Sequence, residues 1–350
     1  MNNSLSIRNS GVELARFLSI IFILGIHLIN LVIGPPYTDE LIEHPVQTIT
    51  LVSFESVFIV CVDIFIVISG WYEIHATSNG LIKLMFQCLF FAIINISATY
   101  VIGGGISIAS LFKVFITGCF PGWFIAAYIL LYLISPIINE YVNSTPLKRT
   151  KTLLLAMFGF LFVYGWLFNG CSGNASTFLS GYSTTFLILL YAGVRFVKVH
   201  YAEIIYRQSK FFWLKYYLIF VLLDIVVWLL SAYYSIGEVN SKIFLYTSPV
   251  VIAQSFCMFM FFSKLEFHSR FVNWLGASSL AIMLLHWDCN GYLFKNIARS
   301  VWDSTDGLLC IIKLTSIILG IAICAVVIDQ FRILAFNSII KISKFKSIKF

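Results

Sequence analysis

Arg16 and His27 stand eleven residues apart in the first hydrophobic run, ELARFLSIIFILGIHLINLVI. At about 100° per residue this is close to three full turns, so both side chains project from one helix face, separated by roughly 16 Å along the axis. Imidazole can take a proton or carry an acyl group, and guanidinium binds phosphate in bidentate fashion. A charged group in the middle of a membrane helix costs roughly 2.5 kcal/mol or more and normally faces a protein interior or a wet cavity. One stripe carrying both groups predicts a polar path running from one membrane surface toward the other.

The remaining ionisable residues within or against apolar runs are few: Glu13, Glu55, Asp63, Glu73, Glu140, Asp224, His286, Asp288, Asp329 and Arg332. Glu13 lies three residues before Arg16 and can pair with it, as Asp329 can with Arg332. Asp63, in VCVDIFIVISGWY, falls near the middle of the second run. A carboxylate there needs a partner, and one bonded to an imidazole fixes that ring's tautomer. His286, in LAIMLLHWDCN, is expected at the depth of His27. The two histidines can share a cavity, or His286 can simply bond a neighbouring helix. Ser69-Gly70 allows a close helix approach.

The elements that must position these groups follow from composition. The 350 residues are 60% hydrophobic and 11% charged, with a mean hydropathy of +0.93. Soluble domains carry about 25% charged residues, so the expectation is an all-α polytopic membrane protein. Ten spans are read at 14–34, 52–74, 81–102, 122–142, 152–169, 181–199, 212–234, 243–263, 274–294 and 310–334. Pro35-Pro36 and Gly103-Gly104-Gly105 close the first and third, Pro121-Gly122 opens the fourth, and Ser135-Pro136 is expected to kink it. The whole chain, 1–350, reads as one integral-membrane domain: a tail 1–13, a bundle 14–334 and a basic tail 335–350. Lysine and arginine concentrate in segments that place both termini in the cytoplasm. The net charge of +7 is explained by that bias, so nucleic acid is not an expected partner. The apolar run after Arg16 is too long for a signal core, so no cleavable signal is expected.

The eight cysteines form no CxxC pair or metal-ligand spacing and read as small buried hydrophobes; a Cys119–Cys171 bridge between outer loops is conceivable. No metal is expected. Walker, GxGxxG, GxSxG and HExxH patterns are absent.

Five segments, in order, carry a resemblance. ELARFLSIIFILGIHLIN, VDIFIVISGWY, PGWFIAAYILLYLISPIINEY, GASSLAIMLLHW and IDQFRILAF resemble successive membrane-helix motifs of acyltransferase family 3. Two departures stand out. The arginine pair that family members often carry near the third helix is reduced here to Lys83, and Met283 replaces the tyrosine before the late histidine. The resemblance implies a membrane-bound O-acyltransferase in the bacterial cytoplasmic membrane. It would move acetyl, or another short acyl group, from cytoplasmic acetyl-CoA to a hydroxyl of a surface or lipid-linked glycan. On that implication Arg16, Lys83 and Arg332 hold the acyl-CoA, and His27 acts as base or acyl carrier. Asp63 orients His27, while His286, Trp123 and Glu55 line the acceptor side. The acceptor sugar and the oligomeric state, a homo-oligomer included, stay open. The competing expectation from another class is a transporter or exporter of a glycan or small molecule, suited by ten spans and an intramembrane His/Asp pair. Against it, no inverted repeat is evident.

Overall fold

The computed structural model describes residues 9–101, 122–168, 179–286, 292–305 and 307–343. Among these the elements are helices, with no strand. Eight are long and apolar enough to cross a membrane: Ser10–Ile33, Pro45–Tyr72, Ser78–Ala98, Trp123–Ser144, Leu147–Leu167, Thr184–Arg207, Lys210–Tyr233 and Gly307–Ser338. The protein is an all-α, multi-pass membrane protein. The segments expected as the eighth and ninth of ten spans are shorter. Helix Pro249–Ser263 has 15 residues, roughly 22 Å against about 30 Å of hydrocarbon. The other is split into Arg270–Ala277 and Ser279–His286 at Ser278. Gly103–Gly105, Pro121, Cys119, Cys171, Cys289 and Asp288 lie outside the described residues.

In chain order the helices that matter for the site are α1 (Ser10–Leu28), α2 (Pro45–Phe58), α3 (Cys61–Tyr72), α4 (Ser78–Val101), α5 (Gly122–Ser144) and α6 (Thr184–Arg207). They are followed by α7 (Lys210–Tyr233), α8 (Pro249–Ser263), α9 (Arg270–Ala277), α10 (Ser279–His286), α11 (Tyr292–Ser304) and α12 (Gly307–Ser343). α3 is the centre of the bundle. Most of its twelve residues are buried, Asp63 and Trp71 among them, and it packs between α1, α6 and α8. Gly70 permits the contact with α6: a Cβ there would lie 2.9 Å from Val194 Cβ and 3.0 Å from the Tyr191 carbonyl oxygen. α1 packs on α3, α8, α9, α10 and α12.

The start of α1 is fastened. Asn9 caps it by accepting from the Gly11 and Val12 N–H groups, an interaction of about 1 kcal/mol. The same side chain donates to the Ser263 carbonyl at 3.0 Å, and Ser10 Oγ donates to Asn273 Oδ1 at 2.8 Å. The far end continues as a π-helical turn, Ile29–Ile33, where Arg299 donates to the Val32 carbonyl. In α5 the helix runs on through Pro136. Proline cannot bond the Tyr132 carbonyl, and Ser135 Oγ does so instead at 2.9 Å, which keeps that oxygen satisfied in an apolar setting.

Candidate active site

His27 Nδ1 lies 2.9 Å from His286 Nε2. α1 delivers the first ring in its last turn; α10, a half-helix beginning after the break at Ser278, delivers the second at its end. α10 is held by Asn95 of α4, whose amide donates to the Leu284 carbonyl at 2.9 Å. His286 is 3% exposed, with Nδ1 3.2 Å from the Ile282 carbonyl and its ring edge-on to Phe294.

These contacts suit one assignment of the protons. A carbonyl only accepts, so His286 Nδ1 carries hydrogen. In the uncharged ring, His286 Nε2 is then the acceptor, and His27 Nδ1 donates to it. In that tautomer the lone pair of His27 lies on Nε2, the ring nitrogen whose basicity suits proton abstraction or nucleophilic attack.

The pair borders a cavity of about 680 Å³, within the roughly 300–1,000 Å³ of small-molecule sites. Glu55 and Trp123, both assigned to the acceptor side from sequence, line it too. So do Asn30, Asn240 and a wall of aromatic rings: Tyr182 meets Trp123 edge-on at 5.1 Å and Tyr246 at 5.4 Å. Asn30 donates to Glu55 Oε1 at 3.5 Å. Asn30 follows His27 by three residues and so shares its face, a signal the sequence contained. Tyr182, Tyr246 and Asn240 lie between or at the ends of long helices, where no periodicity marks them.

The remaining candidates stand elsewhere. Asp63 is fully buried in the first turn of α3, and neither carboxylate oxygen has a hydrogen-bond partner among the described residues. The expected Asp63–His27 bond is therefore replaced by His286–His27. The second span is interrupted at Ile59-Val60, so Asp63 falls in the first turn of α3, which packs against α1 without bringing the carboxylate to His27.

Arg16 Nη1 is paired with Glu13, at 2.8 and 3.0 Å to its two oxygens. Glu13 packs against Gly276 of α9. Arg332 is 3% exposed and bonded to Asp329 at 2.8 Å, while Asp329 also accepts from Gln87 and Ser278. This polar knot ties α4, the α9–α10 break and α12 together, and the guanidinium expected in a cytoplasmic mouth is enclosed within it. Lys83 is exposed. Cys61, Cys88, Cys257 and Cys310 are buried, while Cys324 is exposed. Among the described residues no group of three or more His, Cys, Asp or Glu is placed to hold a metal.

The sequence model of acyltransferase family 3, an acyltransferase domain, matches residues 9–329. The chain belongs to this family. No curated protein and no solved structure matches it. Family membership supports acyl transfer as the reaction class. The matched range holds both members of the histidine pair and every residue named above as lining the cavity. Among the described residues, His27 and His286 are a bonded histidine pair that stands against the cavity.

Proposed function

We propose that this acyltransferase moves a short acyl group, most simply acetyl, from acyl-CoA to a hydroxyl of a surface or lipid-linked glycan, in the bacterial cytoplasmic membrane. The observation that carries this reading is the opening of the His27–His286 pair onto an aromatic-walled cavity. Flat rings such as Trp123 and Tyr182 suit the C–H faces of a sugar. Asn30, Asn240 and Glu55 supply donors and acceptors for its hydroxyls. With both termini cytoplasmic, the start of α1 faces the donor and the histidine pair lies toward the acceptor.

In the step itself, His27 Nε2 takes the proton of the acceptor hydroxyl as its oxygen attacks the thioester carbonyl. His286 accepts from His27 Nδ1 and stabilises the imidazolium that forms. The tetrahedral intermediate then expels the CoA thiolate, which receives the proton from His27 Nε2. The new bond is the ester C–O and the broken bond is the thioester C–S.

The test uses full-length protein in vesicles with labelled acetyl-CoA and the glycan of the native host. His27→Ala is expected to abolish ester formation while the protein inserts and elutes as before. Ester formation by the folded variant would overturn the reading.

A further inference from the structure

A second polar site lies at the end of the bundle that holds the start of α1. Its centre is Tyr206, in the last turn of α6. The Tyr206 hydroxyl accepts two hydrogen bonds, from the buried Trp71 indole N–H at 3.0 Å and from Lys198 Nζ at 3.2 Å. Those bonds use both lone pairs and leave the phenol's own hydrogen without an acceptor among the described residues. Lys198 lies over the Trp71 and Tyr206 rings, 4.8 and 4.9 Å from their centroids. Lys264 lies over Tyr206 at 5.2 Å and donates to its carbonyl at 3.0 Å. Neither lysine has a carboxylate partner among the described residues, whereas Arg16, Arg195 and Arg207 are each paired with a glutamate.

Beside this cluster opens a groove of about 640 Å³ that Tyr206, Lys264, Lys210, Ser209, Gln208 and Asn9 help to line; Glu266 and His268 also border it. Lys264 and Tyr206 line the groove and Lys198 stands on the same phenol just outside it, so donors without a carboxylate partner among the described residues gather at one edge, with Glu266 and His268 along the border. Such a surface fits an acceptor-rich anion, and held lysines are a common arrangement for phosphate. Rings beneath the ammonium groups fix their positions without neutralising them.

We propose that Lys198, Tyr206 and Lys264 form a binding site for a phosphate ester. On the acyl-CoA reading above, from which the ligand's identity follows, it takes the phosphates of the donor. The assignment moves donor recognition away from Arg332, which is enclosed with Asp329, to lysines that the third-helix pattern did not indicate.

Two arms separate the sources of phosphate. In the first, full-length protein in nanodiscs of phosphatidylcholine alone is titrated with CoA, with pyrophosphate as competitor. CoA is expected to bind, pyrophosphate to displace it, and Lys198→Gln/Lys264→Gln to weaken it by at least about tenfold, since each charge-assisted bond is worth a tenfold step or more. His27→Ala is expected to bind CoA as the parent does, so loss of chemistry and loss of donor binding are read apart. In the second arm, phosphatidylglycerol is added to the nanodiscs and its retention is compared between parent and double variant. Lipid retention lost in the variant, without CoA binding in either protein, keeps the phosphate site and overturns the donor assignment. Equal CoA affinity and equal lipid retention in parent and folded double variant would overturn the site. A Tyr206→Phe variant, which removes only the hydroxyl, is expected to weaken the same ligand by a smaller factor; an unchanged affinity would remove Tyr206 from the site.

Discussion

The Nδ1 atom of His27 and the Nε2 atom of His286 are 2.9 Å apart across 259 residues of chain. The imidazole at the end of α10 occupies the place that an orienting carboxylate would take. Because its own Nδ1 faces the Ile282 carbonyl, it holds His27 in a single tautomer. His286→Ala is expected to lower the rate of acyl transfer by about 10²–10⁴-fold, the range over which a positioned proton acceptor contributes. Glutamine at position 286 can put an acceptor oxygen near the place of Nε2 and is expected to recover part of the loss. The readout is the acceptor-dependent release of CoA by His286→Ala and His286→Gln. Equal activity in the two variants would show that the hydrogen bond is not what matters.

The aromatic wall leads to a second expectation. Trp123→Ala removes a ring of the cavity wall; truncation of an aromatic contact residue typically costs about 1 kcal/mol or more, so KM for the glycan is expected to rise about fivefold or more. Thioester hydrolysis without acceptor is expected to stay the same, because Trp123 does not touch the histidine pair in the observed contacts. A parallel fall in both would place Trp123 in the chemistry instead.

Arg332 and Asp329 form a buried pair, 3% and 0% exposed. Arg332→Met leaves the Asp329 carboxylate without its cation and is expected to cost about 3–5 kcal/mol. The double variant Asp329→Asn/Arg332→Met is expected to recover most of that stability. Thermal unfolding in detergent measures both. If Arg332→Met instead keeps its stability and raises KM for acyl-CoA, then Arg332 reaches the donor after all.

Gly70 sets the spacing of α3 and α6. Gly70→Val introduces a Cβ against Val194 and the Tyr191 carbonyl and is expected to destabilise the protein by about 1–3 kcal/mol, read as a lower unfolding temperature. An unchanged unfolding temperature would mean that the two helices part without cost.

The helical class, the α1 helix carrying Arg16 and His27, and the common level of the two histidines were legible in the sequence. Hydropathy and the 3.6-residue period act locally, and both register on one helix at a time. The breaks were harder to see. The run through Ile59-Val60 holds no glycine or proline, so nothing local marks the end of α2, and Asp63 reads as mid-helix when it opens α3. At Ser278-Ser279 the signal was present but weak, since serine competes for backbone hydrogen bonds without forbidding a helix. The cavity wall depended on Tyr182, Tyr246 and Asn240, which come together only through tertiary packing. Arg332 was placed at a mouth because its charge was weighed without Gln87 and Ser278, whose distance along the chain hides their contact with Asp329.

The fastening of α1 by Asn9 and Ser10 bears on how anything crosses this bundle. Any axial slide of the helix would strip its cap and break the bonds to Ser263 and Asn273 together. α1 therefore behaves as a fixed strut with Arg16 and His27 at set heights, and on the proposed acyl-CoA reading the part that travels between the two faces is the donor's own flexible arm. Selection among donors then falls on reach: an acyl group borne on too short a tether never arrives at His27, however tightly its other end is held.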